Sequence, residues 1–128
     1  MGLPHTAQGS AHIIIGSKDE ELLELAAAAL EPIHFDVQSV DKSSDLLLSI
    51  LKYDFDLLII DVDLAEIDGI RTLAIVKGIR PKLPVVFISG DPSLETGRSV
   101  TQHGVSYYAI KPVGSEELTA VVHGVLGR

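Results

Sequence analysis

Four short polar clusters in this chain each follow directly on an apolar run: Gly16-Ser17-Lys18-Asp19, Asp61-Val62-Asp63, Ser89-Gly90-Asp91 and Lys111-Pro112. Between them they supply carboxylates, hydroxyls and an ammonium. A carboxylate oxygen can attack phosphorus, an ammonium can hold the transferred group, and a hydroxyl can bond one of its oxygens. Phosphoryl chemistry is what these types offer, if the fold gathers them on one rim.

The elements that would gather them alternate along the chain. Apolar runs occupy residues 12–15, 35–40, 57–60, 85–88 and 107–110. In Ile13-Ile14-Ile15, Leu57-Leu58-Ile59-Ile60 and Val85-Val86-Phe87-Ile88 no polar residue alternates, as in strands covered on both faces of a parallel sheet. Between the runs the spacing turns helical. Leu22, Leu25, Ala26 and Ala29 share a face that ends at Pro32. Leu47, Ile50 and Leu51 make a second stripe with Ser43 or Ser44 as cap. Ile70, Leu73 and Ala74 make a third after Asp68-Gly69. Leu118, Val121, Val122 and Val125 follow Ser115 as cap, with Glu116 and Glu117 at the positive helix end. The segment 91–105 is poorer, with only Leu94 and Val100 strongly apolar and Gly97 inside, and predicts a short or mobile helix.

Five such units give an α/β fold. Right-handed crossovers wind it into a doubly wound sheet with helices on both faces, and ligands bind beyond the carboxyl ends of its strands. All four polar clusters fall there.

Composition narrows the class. The chain has 128 residues, one domain's worth, with 46% hydrophobic and 22% charged residues, as in a compact protein. It has no cysteine, which excludes disulfides and thiolate metal sites. Five histidines lack metal-ligand spacing and are expected at the surface. A net charge of −8 opposes direct contact with nucleic acid, and no apolar run is long enough to span a bilayer. Residues 1–11 read as a flexible leader and 12–128 as the domain, expected in the cytoplasm.

Leu57-Leu58-Ile59-Ile60-Asp61, Ile67-Asp68-Gly69, Val85-Val86-Phe87-Ile88-Ser89-Gly90 and Tyr108-Ala109-Ile110-Lys111-Pro112, in this order, resemble the receiver domain of bacterial response regulators. The resemblance runs over about residues 12–126. It implies a flavodoxin-like five-stranded parallel sheet in the order 2-1-3-4-5, and a signalling module of two-component systems. By it, Asp61 matches the aspartate that accepts a phosphoryl group from a histidine kinase or phosphotransfer protein. Lys111 matches the lysine contacting that group, ahead of a cis bond to Pro112, and Ser89 and Tyr108 match the switch hydroxyl and switch aromatic. An output domain or effector, and a homodimer, are the further partners it implies; the domain is no enzyme beyond assisting its own phosphoryl transfer and loss.

The resemblance fails in two places. Gly16 and Ser17 stand where the family carries two adjacent acids that bind a divalent metal. Asp61 and the backbone carbonyl of Asp63 remain, so a Mg2+ site is expected to be weak or absent. Ala65 replaces a usual proline. Ser17-Lys18-Asp19-Glu20 fits a capping box, which assigns Ser17 to the helix rather than to chemistry. Asp19 swinging toward the rim, or the Asp63 carboxylate at the mouth, would partly replace the missing acids. Two alternatives follow: a degenerate receiver working as an interaction module without phosphate, and a small phosphatase resembling the haloacid dehalogenases, whose acid pair Asp61-Val62-Asp63 mimics.

Overall fold

The computed structural model describes residues 10–128. The calls on residues 1–9, most of the expected leader, lie outside these. Its last residue, Ala11, does not: it is fully buried, and its carbonyl accepts the Asp36 N–H at 2.8 Å. The packed domain therefore begins earlier than expected.

Strands β1 (His12–Gly16), β2 (Asp36–Val40), β3 (Leu57–Asp61), β4 (Val85–Ser89) and β5 (Tyr107–Ile110) form one parallel sheet in the order β2-β1-β3-β4-β5. Helices α1 (Glu20–Leu30), α2 (Ser43–Lys52), α3 (Gly69–Ile79), α4 (Leu94–Thr101) and α5 (Ser115–Leu126) connect and follow them, with a 3-10 turn at Glu31–Ile33. The turn holds Pro32, and α1 stops just before it, because proline has no N–H to continue the helical hydrogen-bond ladder.

Strand side chains alternate between faces, which splits the core in two. Ile13, Ile15, Leu57, Ile59, Val86 and Ile88 pack against Leu22 and Ala26 of α1 and Leu118 and Val122 of α5. Ile14, Leu58, Ile60, Val85 and Phe87 pack against Leu46 and Ile50 of α2, Leu73 and Val76 of α3, and Val100 of α4.

Several local expectations need correcting. The α2 stripe is rotated: Leu46 and Ile50 are buried, while Leu51 is exposed. In α3, Leu73 and Val76 are buried and Ala74 is exposed. Both helices carry apolar residues on more than one side, so periodicity could not fix their phase. Neither Ser43 nor Ser44 caps α2; Glu66, in the loop after β3, accepts the Ser44 N–H at 3.0 Å and the Ser43 hydroxyl at 3.3 Å. Gly114, not Ser115, occupies the cap position of α5, with no side-chain bond. The histidines are not all surface groups, since His12, His103 and His123 are partly buried.

Gly69 opens α3 against the end of β3. A Cβ there would stand 2.3 Å from the Asp61 carbonyl oxygen and 2.7 Å from the Val62 Cα, both rigid backbone. Gly69→Ala should therefore destabilise the domain by about 3 kcal/mol, an overpacking cost with no side chain free to yield. Urea unfolding checks this; a loss below about 1 kcal/mol would mean that the loop after β3 relaxes easily.

Candidate functional site

Strand alternation and register build the site. Gly16 pairs with Ile60, so the next rung sets Ser17 beside Asp61. Asp61 continues the parity of Leu57 and Ile59, and Lys111 that of Ala109, so both turn to the α1/α5 side. Ser89 has the parity of Val85 and Phe87 and turns to the other side. Gly16 also faces away, and a Cβ there would meet Leu46 and Leu64. Of the two positions after β1, only Ser17 therefore faces the acceptor.

The Asp61 side chain is 0% exposed and fully engaged. Its Oδ2 accepts the Ser17 hydroxyl at 2.6 Å and lies 2.8 Å from Lys111 Nζ, and its Oδ1 accepts the Asp63 N–H at 3.0 Å. Lys111 Nζ also donates to Asp19 Oδ2 at 2.9 Å. Two carboxylates thus share one ammonium. Burial would push the Lys111 ammonium down, but hydrogen bonds to Asp61 and Asp19 outweigh it and hold its pKa above the ordinary lysine value. The Lys111 N–H donates to the Ser89 carbonyl of β4 at 2.9 Å, which holds the lysine backbone at the rim. The Lys111-Pro112 bond is cis.

Asp19, not Ser17, caps α1: its carboxylate accepts the Leu22 N–H at 3.2 Å. The Ser17 hydroxyl instead accepts the Asp19 N–H at 2.9 Å while donating to Asp61. The capping-box assignment is thereby corrected. Lys111 first, then the Leu22 N–H, hold the Asp19 carboxyl below the usual carboxylate range. Asp63 does not turn its carboxylate into the site: it is exposed and lies 4.0 Å from Lys18 Nζ. Its carbonyl accepts the Lys18 N–H at 2.8 Å.

Ser89 is fully buried and does not cap α4, which Ser93 caps through the Thr96 N–H. The Ser89 hydroxyl accepts the Asp91 N–H at 2.9 Å, and the Tyr108 hydroxyl donates to the Asp91 carbonyl at 3.0 Å. Asp91 therefore ties these two residues together through its backbone, a link no spacing announced. Its carboxylate accepts the Thr96 hydroxyl at 2.7 Å, fixing the loop into α4. The Tyr108 ring is partly buried, 6.1 Å from Phe87 and beside Gly97. A Cβ at 97 would stand 3.7 Å from that ring, in ordinary contact.

The response regulator receiver domain family matches residues 13–123. The chain belongs to that family. Among relatives, the transcriptional regulatory protein ZraR of Salmonella typhimurium is 28% identical over 119 residues, covering 93% of this receiver and 27% of ZraR. The regulatory protein LuxO of Vibrio cholerae is 29% identical over 97 residues, covering 76% and 21%. The receiver thus spans about a quarter of the length of these relatives. A CheY-like receiver domain protein from Methanospirillum hungatei superposes with a TM-score of 0.88 at 24% identity, covering 93% and 95% of the two chains, which shows the fold. NtrX from Brucella abortus gives 0.85 at 26% identity, covering 92% of this receiver and 27% of NtrX. No helix among the described residues is long and apolar enough to cross a membrane.

Proposed function

We propose that this receiver takes one phosphoryl group on Asp61 from a phosphohistidine donor, a histidine kinase or phosphotransfer protein. The observation that carries the proposal is the Asp61 carboxylate closing β3 with Lys111 Nζ 2.8 Å from its Oδ2. A carboxylate oxygen attacks phosphorus, the P–N bond to the donor imidazole breaks, and an acyl phosphate remains on Asp61. Lys111 balances the negative charge that arrives with the group. Ser89 and Tyr108 serve as the switch pair, and their shared link to Asp91 couples them to α4. Signal passes on to an output domain or effector, and the receiver does no chemistry beyond its own phosphoryl transfer and loss. The two-carboxylate phosphatase alternative gains nothing here, since the Asp63 carboxylate faces Lys18.

The donors do not suit a dedicated Mg2+ site. Ser17 brings a hydroxyl where a charge is needed, and that hydroxyl and Lys111 together occupy Asp61 Oδ2. Asp19, the nearest other acid, is engaged by the same lysine. Among the described residues no group of three or more His, Asp or Glu side chains is placed to hold a metal. The Asp61 oxygens and the Asp63 carbonyl would leave any ion loosely held, and Mg2+ prefers near-octahedral oxygen ligation.

Incubation with a small acyl phosphate or a phosphorylated histidine kinase, followed by intact mass, should show the addition of one phosphoryl group. Failure of every such donor to label the chain would sink the proposal. The metal reading has its own check. Ser17→Asp sets a second carboxylate beside Asp61, and a unit charge pair about 4 Å apart near a protein surface is worth roughly 4 kcal/mol. The variant should therefore gain a rise in thermal midpoint with millimolar Mg2+, while the wild type shows little or none. An equal rise in both proteins would mean that Ser17 does not exclude the ion.

A further inference from the structure

Helix α2 carries more apolar surface than the core uses. Leu46 and Ile50 are buried, yet Leu48 and Leu51 are 60% and 58% exposed, and Tyr53 just beyond the helix is 55% exposed. The two leucines lie three residues apart, on one outward stripe.

Charge flanks that stripe with opposite signs. Asp45 precedes Leu48 by three residues, Lys52 follows it by four, and both are exposed. Positions i, i+3 and i+7 share a helix face, so Asp45, Leu48 and Lys52 line up along the outside of α2. At 1.5 Å per residue the acid and the base are roughly 10 Å apart along the axis, too far to pair within one helix. Neither forms an ion pair elsewhere among the described residues.

This pattern is complementary to itself in one orientation. A second α2 laid antiparallel, about a two-fold axis beside Leu48, sets Asp45 of each copy opposite Lys52 of the other. Leu48 and Leu51 of the two copies then cover one another. Parallel helices would set like charges face to face. Self-complementarity under a two-fold axis is what an isologous contact requires.

We propose that the outward face of α2 is a self-association surface pairing two copies of this chain antiparallel. It lies on the sheet face opposite α1 and α5 and does not depend on the phosphoryl reading. The net charge of −8 repels two copies at long range. That repulsion is screened beyond about 8 Å at physiological ionic strength, leaving the contact pairs and the leucines to decide. One helix face is small beside the 1,200 Å² or so of a standard interface, so the dimer is weak and concentration-dependent.

Sedimentation equilibrium on this chain, from about 10 μM to about 1 mM, should show the mass moving from monomer toward dimer. Leu48→Glu, at a position the core does not use, should weaken association more than about tenfold with the circular dichroism unchanged. The charge arrangement has a sharper test. Asp45→Lys and Lys52→Asp should each lose self-association, whereas an equimolar mixture of the two variants should form a heterodimer, because every contact pair is then opposite in sign. The double variant should dimerise like the wild type. A wild-type chain that stays monomeric throughout overturns the proposal, as does association indifferent to Leu48→Glu. A mixture no stronger than either single variant overturns the antiparallel arrangement.

Discussion

Asp61→Asn is expected to abolish phosphoryl labelling altogether while the domain stays folded. The discriminating control is Asp19→Asn, because both carboxylates touch the same ammonium: Lys111 Nζ lies 2.8 Å from Asp61 and 2.9 Å from Asp19. Exposure alone would favour Asp19, which is partly open to solvent while Asp61 is closed. Position favours Asp61, at the carboxyl end of the central strand, where open α/β sheets place their ligands. The Asp19 carboxylate is also committed to capping α1. Asp19→Asn should therefore still be labelled, at a changed rate, and Asp61→Asn not at all. Label surviving in Asp61→Asn would move the acceptor elsewhere and overturn the proposed function.

The same variant should cost moderate stability without unfolding the domain. Asparagine keeps one acceptor oxygen but turns the other oxygen into a donor. Either the Asp63 N–H or the pair formed by Ser17 and Lys111 loses its acceptor. A buried group left unsatisfied in this way costs about 1–3 kcal/mol. Lys111 keeps Asp19, so no buried charge is stranded.

How much of this was legible beforehand depends on the range of the interactions involved. The β1, β3 and β4 strands show as unbroken Ile, Leu and Val runs, because burial on both faces leaves no polar residue to confuse the period. Their carboxyl ends were missed by one residue each, at Gly16, Asp61 and Ser89. These are small or polar residues that the sheet still pairs. The phases of α2 and α3 were blurred where Leu46-Leu47-Leu48 and Ile75-Val76 put apolar residues on adjacent faces. Caps failed for another reason. Glu66 reaches α2 from the loop after β3, more than twenty residues away in sequence, so no local motif announces it.

Ser17 is the instructive error. Ser17-Lys18-Asp19-Glu20 satisfies a capping pattern on local spacing, yet the cap falls two residues later. Register decides instead: Gly16 opposite Ile60 brings the Ser17 hydroxyl to Asp61. A local pattern lost to a long-range pairing, as tertiary context commonly overrides short-range propensity. The approach of Lys111 to Asp61 was legible because a family resemblance carries long-range information that a local window lacks. Asp19 on Lys111 and Asp91 between Ser89 and Tyr108 were not, since each contact joins segments distant in the chain or runs through backbone.

Removing Lys111 should hurt folding far more than removing Asp61. In Lys111→Met the Asp61 carboxylate stays buried at 0% exposure with only the Ser17 hydroxyl and the Asp63 N–H to stabilise it. Breaking a buried ion pair from one side costs about 3–5 kcal/mol, because the remaining charge keeps its desolvation penalty and loses its compensation. Asp19 adds little to this loss, since it is partly exposed and keeps its cap to Leu22. The double variant Asp61→Asn with Lys111→Met should then recover most of the stability. A neutral amide can accept from the Asp63 N–H through its oxygen and donate to the Ser17 oxygen, so no charge is left buried and only the Ser17 hydroxyl proton loses its acceptor. Urea unfolding of the four proteins closes the cycle, and neighbours in one network are expected to couple by up to about 3 kcal/mol. Losses that simply add would mean that Lys111 supports the site through its packing, not through its charge on Asp61.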